Sequence, residues 1–274
     1  MAACRKYPDI SGNGGRYLMK TISFCNQKGG VGKTTSALAL ASGLGKKGFR
    51  VLLLDLDPQC NASLASKIDI LSDNDTLYNV FRGGAGIKDV IRKVKRYDIV
   101  TGGLALAAAD MEFTQTGREY MLREALEDIS SAYDYCIIDT APSLGIITVN
   151  ALTASQRVII PMTPDLFSLQ GLSQLNQLVS RVKRYSNKDL TTEGLLITLY
   201  DTTTNISKAL KEQIENAAVA LGTKVFTQPI RKSVAVREAH LMRTDIFTGA
   251  PKANATKDYE VFVDEVLNGG KNGE

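Results

Sequence analysis

The 274-residue chain is 44 % hydrophobic and 23 % charged, the balance of a globular protein and not of a collagen-like rod, a coiled coil or a disordered chain. Thirty-three Lys and Arg against 29 Asp and Glu leave a net charge of +4, which permits an anionic partner without requiring one. A single histidine, His240, argues against a His-rich metal site or a Ser-His-Asp triad, and Cys4, Cys25, Cys60 and Cys136 lack the CxxC spacing of a zinc or redox site. Cys25 and Cys136 fall in apolar runs, where thiols act as small hydrophobes, as expected in a reducing compartment.

In chain order, residues 1–18 carry charge and glycine but no apolar run, so they read as a flexible lead-in and not as a secretory signal. The spacing then predicts a strand over 21–25, a helix over 34–47, a doubly covered strand over 51–54 and a weaker strand over 98–101. The polar stretch 67–97 reads as an insertion at a sheet edge. A helix over 117–131 and a strand over 135–138 follow. Next come a helix over 144–152, a strand over 158–161, a helix over 169–185, a strand over 195–199 and a helix over 207–221. A short strand at 225–226 and a closing helix over 258–267 end the pattern. Such alternation predicts a doubly wound, mainly parallel α/β sheet with helices on both faces. One domain is expected over 19–268, with a flexible tail over 269–274.

The chemistry is concentrated in Lys28-Gly29-Gly30-Val31-Gly32-Lys33-Thr34-Thr35, between a predicted strand and a predicted helix. Glycines let backbone N–H groups converge on phosphate oxygens, and a helix N-terminus adds favourable potential. Lys33 is the candidate for the β- and γ-phosphates and Thr34 for Mg²⁺. Two strand ends supply carboxylates where α/β ligands bind. Asp55 and Asp57 precede Pro58-Gln59-Cys60-Asn61, and Asp139 ends an apolar run. Asp139 is the candidate for Mg²⁺.

A second lysine at the start of the loop marks the deviant Walker A class. The chain thereby resembles the ParA/Soj branch of the ParA–MinD superfamily of P-loop NTPases, from residue 19 onward. The DxDPQ stretch, Asp139-Thr140-Ala141-Pro142-Ser143, Tyr200-Asp201 and Glu238-Ala239 occur in the family's order. Cys60 stands where the family has glycine, Ala141 and His240 where it has proline, and Ala235 where it has a second arginine. The resemblance implies a cytoplasmic, nucleoid-associated ATPase using ATP/ADP and Mg²⁺, in which Asp57 accepts hydrogen from an attacking water and Asp55 supports the metal. It also implies an ATP-sandwich homodimer in which Lys28 reaches the partner's phosphates, with Asp201 and Pro229 framing the base. Nonspecific DNA, held through Lys208, Arg231, Lys232 and Arg237, is the implied surface, and a ParB-like centromere-binding protein the implied activator. Arg92-Lys93-Lys95-Arg96 reads as a solvated face.

Three alternatives remain at this level. A MinD-like ATPase acting on a membrane or protein cargo ends in a basic amphipathic helix, which the sequence Leu267–Glu274 does not supply. An iron–sulfur member needs loop cysteines, whereas Cys25 and Cys136 fall in strands. A non-hydrolysing ATP switch would have no use for Asp57.

Overall fold

The computed structural model describes residues 19–69 and 75–269. Seven strands form one sheet: β1 (Lys20–Phe24), β2 (Val51–Leu56), β3 (Arg92–Lys93), β4 (Asp98–Val100), β5 (Tyr135–Thr140), β6 (Arg157–Met162) and β7 (Thr191–Ile197). Their order is β3-β4-β2-β5-β1-β6-β7, parallel throughout except for the β3–β4 edge pair. The helices are α1 (Lys33–Lys46), α2 (Asn61–Ala65), α3 (Leu77–Phe81), α4 (Ala109–Glu112), α5 (Met121–Glu127) and α6 (Ile146–Ala154). They continue with α7 (Leu166–Tyr185), α8 (Asn205–Ala220), α9 (Val234–Leu241), α10 (Ile246–Gly249) and α11 (Asn254–Gly269). The expected doubly wound architecture is observed.

Period-two alternation sorts the strand side chains between two faces. Ile22, Phe24, Val51, Leu53, Tyr135 and Ile137 pack with α1 and α11. Leu52, Leu54, Leu56, Cys136 and Ile138 face the opposite layer with α5 and α6, and Val158, Ile160, Leu195 and Ile197 meet α7 and α8. On that alternation Asp55 and Asp139, directly paired in register, fall on the α1 face. At its other end α1 packs closely on the turn before β4, where a Cβ on Gly45 would come within 1.9 Å of the Arg96 carbonyl oxygen.

The differences from expectation are local. Strands β2 and β5 run through Leu56 and Thr140, so Asp55 and Asp139 lie inside strands and not just beyond them. The helix expected over 117–131 is a 3-10 turn, Arg118–Tyr120, followed by α5, after Gly117 takes a left-handed φ of 84°. Residues 225–226 form only an isolated bridge, Val225 to Leu195. Helices α2, α3, α4, α9 and α10 are short and lie outside the expected pattern. The stretch 67–97 does end at the sheet edge, in antiparallel β3. Helix α11 starts earlier than expected and includes Gly269. The expected lead-in and the tail from residue 270 lie outside the described residues.

Candidate functional site

The loop between β1 and α1 is held from two sides. Asn26 is buried, donates through Nδ2 to the Pro161 carbonyl (2.6 Å) and accepts the Lys28 N–H (2.9 Å). Thr198 at the end of β7 donates to the Val31 carbonyl at 2.8 Å. Gly30 and Gly32 take φ of 74° and 79°, a conformation glycine enters without a Cβ penalty. A Cβ on Gly29 or Gly30 would meet nothing within 4 Å, so a cradle stands open above the loop. Helix α1 begins at Gly32 with no side-chain cap and no acidic residue in its first turn, leaving its N-terminal amides for an anion.

Lys33 is 6 % exposed. Its Nζ donates to the Lys28 carbonyl at 3.2 Å. Burial lowers its pKa, while Asp139, Cys25 and Asp57 pull it back up. Asp139 is fully buried, and neither carboxylate oxygen has a hydrogen-bond partner. Burial, then the neighbouring Asp55, push its pKa well up, opposed by Thr34 and Lys33. A buried, orphaned carboxylate is expensive unless a cation completes it.

Asp55 differs. Its Oδ2 accepts from the Ser63 N–H (2.8 Å) and hydroxyl (2.7 Å), and its Oδ1 from the Asp57 N–H (3.3 Å). Burial raises its pKa to about 6 against those hydrogen bonds. Asp55 therefore anchors the turn that carries Asp57. Asp57 is 8 % exposed and accepts the Gln59 N–H at 2.9 Å. Cys60 closes this turn at φ 53° and ψ 36°. Its buried thiol donates to the Pro58 carbonyl, and burial lifts its pKa to about 11.

Lys28 is committed within its own chain. Its Nζ lies 2.5 Å from Asp165 Oδ2 and 3.4 Å from Thr163 Oγ1. Thr34 and Thr35 open α1, both half-buried. The Asp201 and Pro229 loops are brought together, since Tyr200 N donates to the Ile230 carbonyl and Lys232 N to the Tyr200 carbonyl. Thr203, through its hydroxyl and N–H, lowers the Asp201 pKa.

Of the four DNA candidates, Lys208, Lys232 and Arg237 are exposed. Arg231 is not available as expected, because it pairs with Asp258 through Nη2–Oδ1 at 2.6 Å and Nε–Oδ2 at 2.9 Å. Asp258 is 2 % exposed, and a bidentate partner for a buried carboxylate is not free to neutralise phosphate. Three of the first basic cluster are likewise paired: Arg92 with Asp75, Lys93 with Asp98 and Arg96 with Asp245. Sequence reasoning missed Asn26, Ser63, Asp165, Thr198 and Asp258. Only Asp165 had a local signal, an N-cap three residues before Ser168.

Residues 19–192 match the family model described as an AAA domain. The chain is 37 % identical over 254 residues to the sporulation initiation inhibitor protein Soj of Bacillus subtilis, covering 92 % of this chain and 99 % of Soj. It is 34 % identical over 255 residues to the chromosome partitioning protein ParA of Caulobacter vibrioides, covering 91 % and 94 %. Among solved structures, cobyrinic acid a,c-diamide synthase from Mycobacterium smegmatis with bound ADP and magnesium superimposes with a TM-score of 0.82 at 29 % identity, covering 94 % and 97 %. A putative plasmid partition protein from Borrelia burgdorferi bound to AMPPNP gives 0.79 at 26 %, covering 91 % and 99 %. With its paired loop lysines and opposed strand-end carboxylates, the chain belongs to the ParA/Soj family of P-loop ATPases.

Proposed function

We propose that this chain is a DNA-partition ATPase that pairs with a second copy when it binds ATP and Mg²⁺, and binds DNA nonspecifically in that state. A ParB-like partner then stimulates hydrolysis. The observation that carries the reading is Asp139, buried with both oxygens unpartnered beside Lys33 and Thr34 under an open glycine loop. These residues fit a nucleotide phosphate with its Mg²⁺, with Thr34 and Asp139 as the protein groups that hold the metal and Asp55 behind them. A site with one hydroxyl and one free carboxylate suits Mg²⁺, which keeps waters and phosphate oxygens as its other ligands. Bound there, Mg²⁺ would neutralise charge developing on the phosphates.

The chain's own groups supply the rest. Gly29, Gly30, Val31 and Gly32 present backbone amides, and Thr35 continues the first turn of α1. Lys33 holds phosphate charge in a low-dielectric setting. Asp57, oriented by Gln59 and by the Asp55-anchored turn, accepts hydrogen from the attacking water. Asp201 and Pro229, on paired loops, frame the base. Lys208 and Lys232 flank the same loop pair, and with Arg237 they supply the DNA surface. Arg231 keeps these loops in place through Asp258.

A MinD-like membrane reading is less well supported. Helix α11 spends its apolar face on α1, with Tyr259, Phe262, Val263 and Val266 buried, and so does not offer that face to a membrane surface.

Binding of a fluorescent ATP analogue tests the site. Lys33→Ala is expected to abolish saturable binding, and unchanged affinity would place the nucleotide elsewhere. DNA binding with ATP is expected to weaken steeply with salt.

A further inference from the structure

The two lysines of the loop are in opposite states. Lys33 makes no ion pair among the described residues and only touches the Lys28 carbonyl. The Lys28 ammonium is bound to a carboxylate 137 positions away in its own chain. The end of β6 and the turn after it hold Lys28 at both ends. Pro161 anchors Asn26, which takes the Lys28 N–H, and Asp165 takes the ammonium.

Asp165 divides its two oxygens between two tasks. Oδ1 accepts the Ser168 N–H at 2.9 Å, capping α7. Oδ2 receives Lys28, the Thr163 hydroxyl and the Ser168 hydroxyl. Burial alone would raise the Asp165 pKa, but Lys28, Thr163 and Ser168 together bring it down to about 2. The carboxylate is therefore charged across the physiological range. Lys28 and Asp165 side chains are 36 % and 32 % exposed, so the pair is open to exchange and not sealed in the core.

We propose that Asp165 is a positioning residue that holds the Lys28 ammonium on its own subunit in the monomer, so that pairing with a second copy exchanges Asp165 for that copy's nucleotide phosphates. This rests on the ATP-dependent pairing under Proposed function. A Lys28 side chain extended to the partner's phosphates leaves Asp165, so the fraction of subunits with Lys28 released scales the apparent affinity for pairing. Removing a half-exposed competitor of this kind shifts that fraction roughly five-fold.

The test is sedimentation velocity of the full chain against a titration of a non-hydrolysable ATP analogue with Mg²⁺. Asp165→Asn keeps a capping oxygen and removes the charge. It is expected to reach half-dimer at roughly five-fold less analogue than wild type, while Lys28→Ala stays monomeric. Asp165→Ser, also a good cap, should shift the same way and replaces the Asn variant if that one fails to fold. Loss of a merely structural residue would raise the requirement, never lower it. An unchanged or higher analogue requirement in folded Asp165 variants, with wild type still dimerising, overturns the proposal and leaves the ATPase reading intact. Wild type that stays monomeric at saturating analogue overturns the pairing itself.

Discussion

Arg231 and Asp258 form a two-pronged ion pair, and the Arg231 N–H adds a third bond to the same carboxylate at 3.0 Å. Gln228 donates to the other oxygen at 3.1 Å. The buried Asp258 of α11 thus ties down the whole 228–231 loop. Arg231→Ala leaves that carboxylate short of its partner and is expected to cost about 2 kcal/mol of stability. Lys232→Ala with Arg237→Ala should leave the melting temperature within about a degree while weakening DNA binding and lowering its salt slope by about two. Thermal melts beside DNA titrations separate the two roles.

Magnesium dependence follows from Asp139. Its folded pKa is raised, so the neutral form is favoured, and its contribution to apo stability is present at low pH and lost as pH rises through the folded value. Asp55 adds the same sign, between its ordinary 3.8 and about 6. A cation at Asp139 reverses the balance by favouring the charged form. Mg²⁺-dependent nucleotide affinity is therefore expected to rise with pH. Asp139→Asn should lose about ten-fold or more of it and make the metal-free protein more resistant to denaturant at pH 8. Calorimetric Mg²⁺ titrations with bound nucleotide at several pH values check the affinities, and urea melts of the metal-free protein at pH 8 check the stability.

Cys60 holds a left-handed backbone without being glycine, which costs roughly 1–2 kcal/mol. Cys60→Gly relieves that strain but gives up a buried thiol and gains unfolded-state entropy, so stability should change by less than about 1 kcal/mol. Cys60→Ala keeps the strain and loses the sulfur, and is expected to be destabilised by about 1 kcal/mol. Urea unfolding of the pair measures the difference directly.

Helix α6, which follows the Asp139 loop, has no side-chain cap of its own. Asp110 supplies one from α4, accepting the Ile146 N–H at 2.6 Å. Asp110→Ala should cost about 1 kcal/mol, and Asp110→Asn much less. Denaturant melts of the two variants distinguish capping from bulk.

What was legible in the sequence was whatever depends on neighbours along the chain. Apolar runs alternating with helical spacing yield the sheet, and glycines beside Lys33-Thr34 yield the phosphate loop. Misreadings arose where the deciding partner is distant. Arg231 looked like a free cation because Asp258 lies on another helix, and the Asp165 partner of Lys28 went unseen because it follows a strand far downstream. Asp55 reads like a second metal ligand until Ser63 is seen to occupy its oxygen. The short helices α2 and α10 offer too few turns for a periodic signal.

The proposed ATP-driven cycle turns on Asp57 acting on the attacking water. Light scattering during chromatography of Asp57→Ala with ATP and Mg²⁺ tests it most directly. A stable dimer still holding unhydrolysed ATP is the predicted result, with wild type returning to smaller species as ATP is consumed. An Asp57→Ala protein that turns over ATP at the wild-type rate, or that stays monomeric where wild type dimerises, would contradict the account.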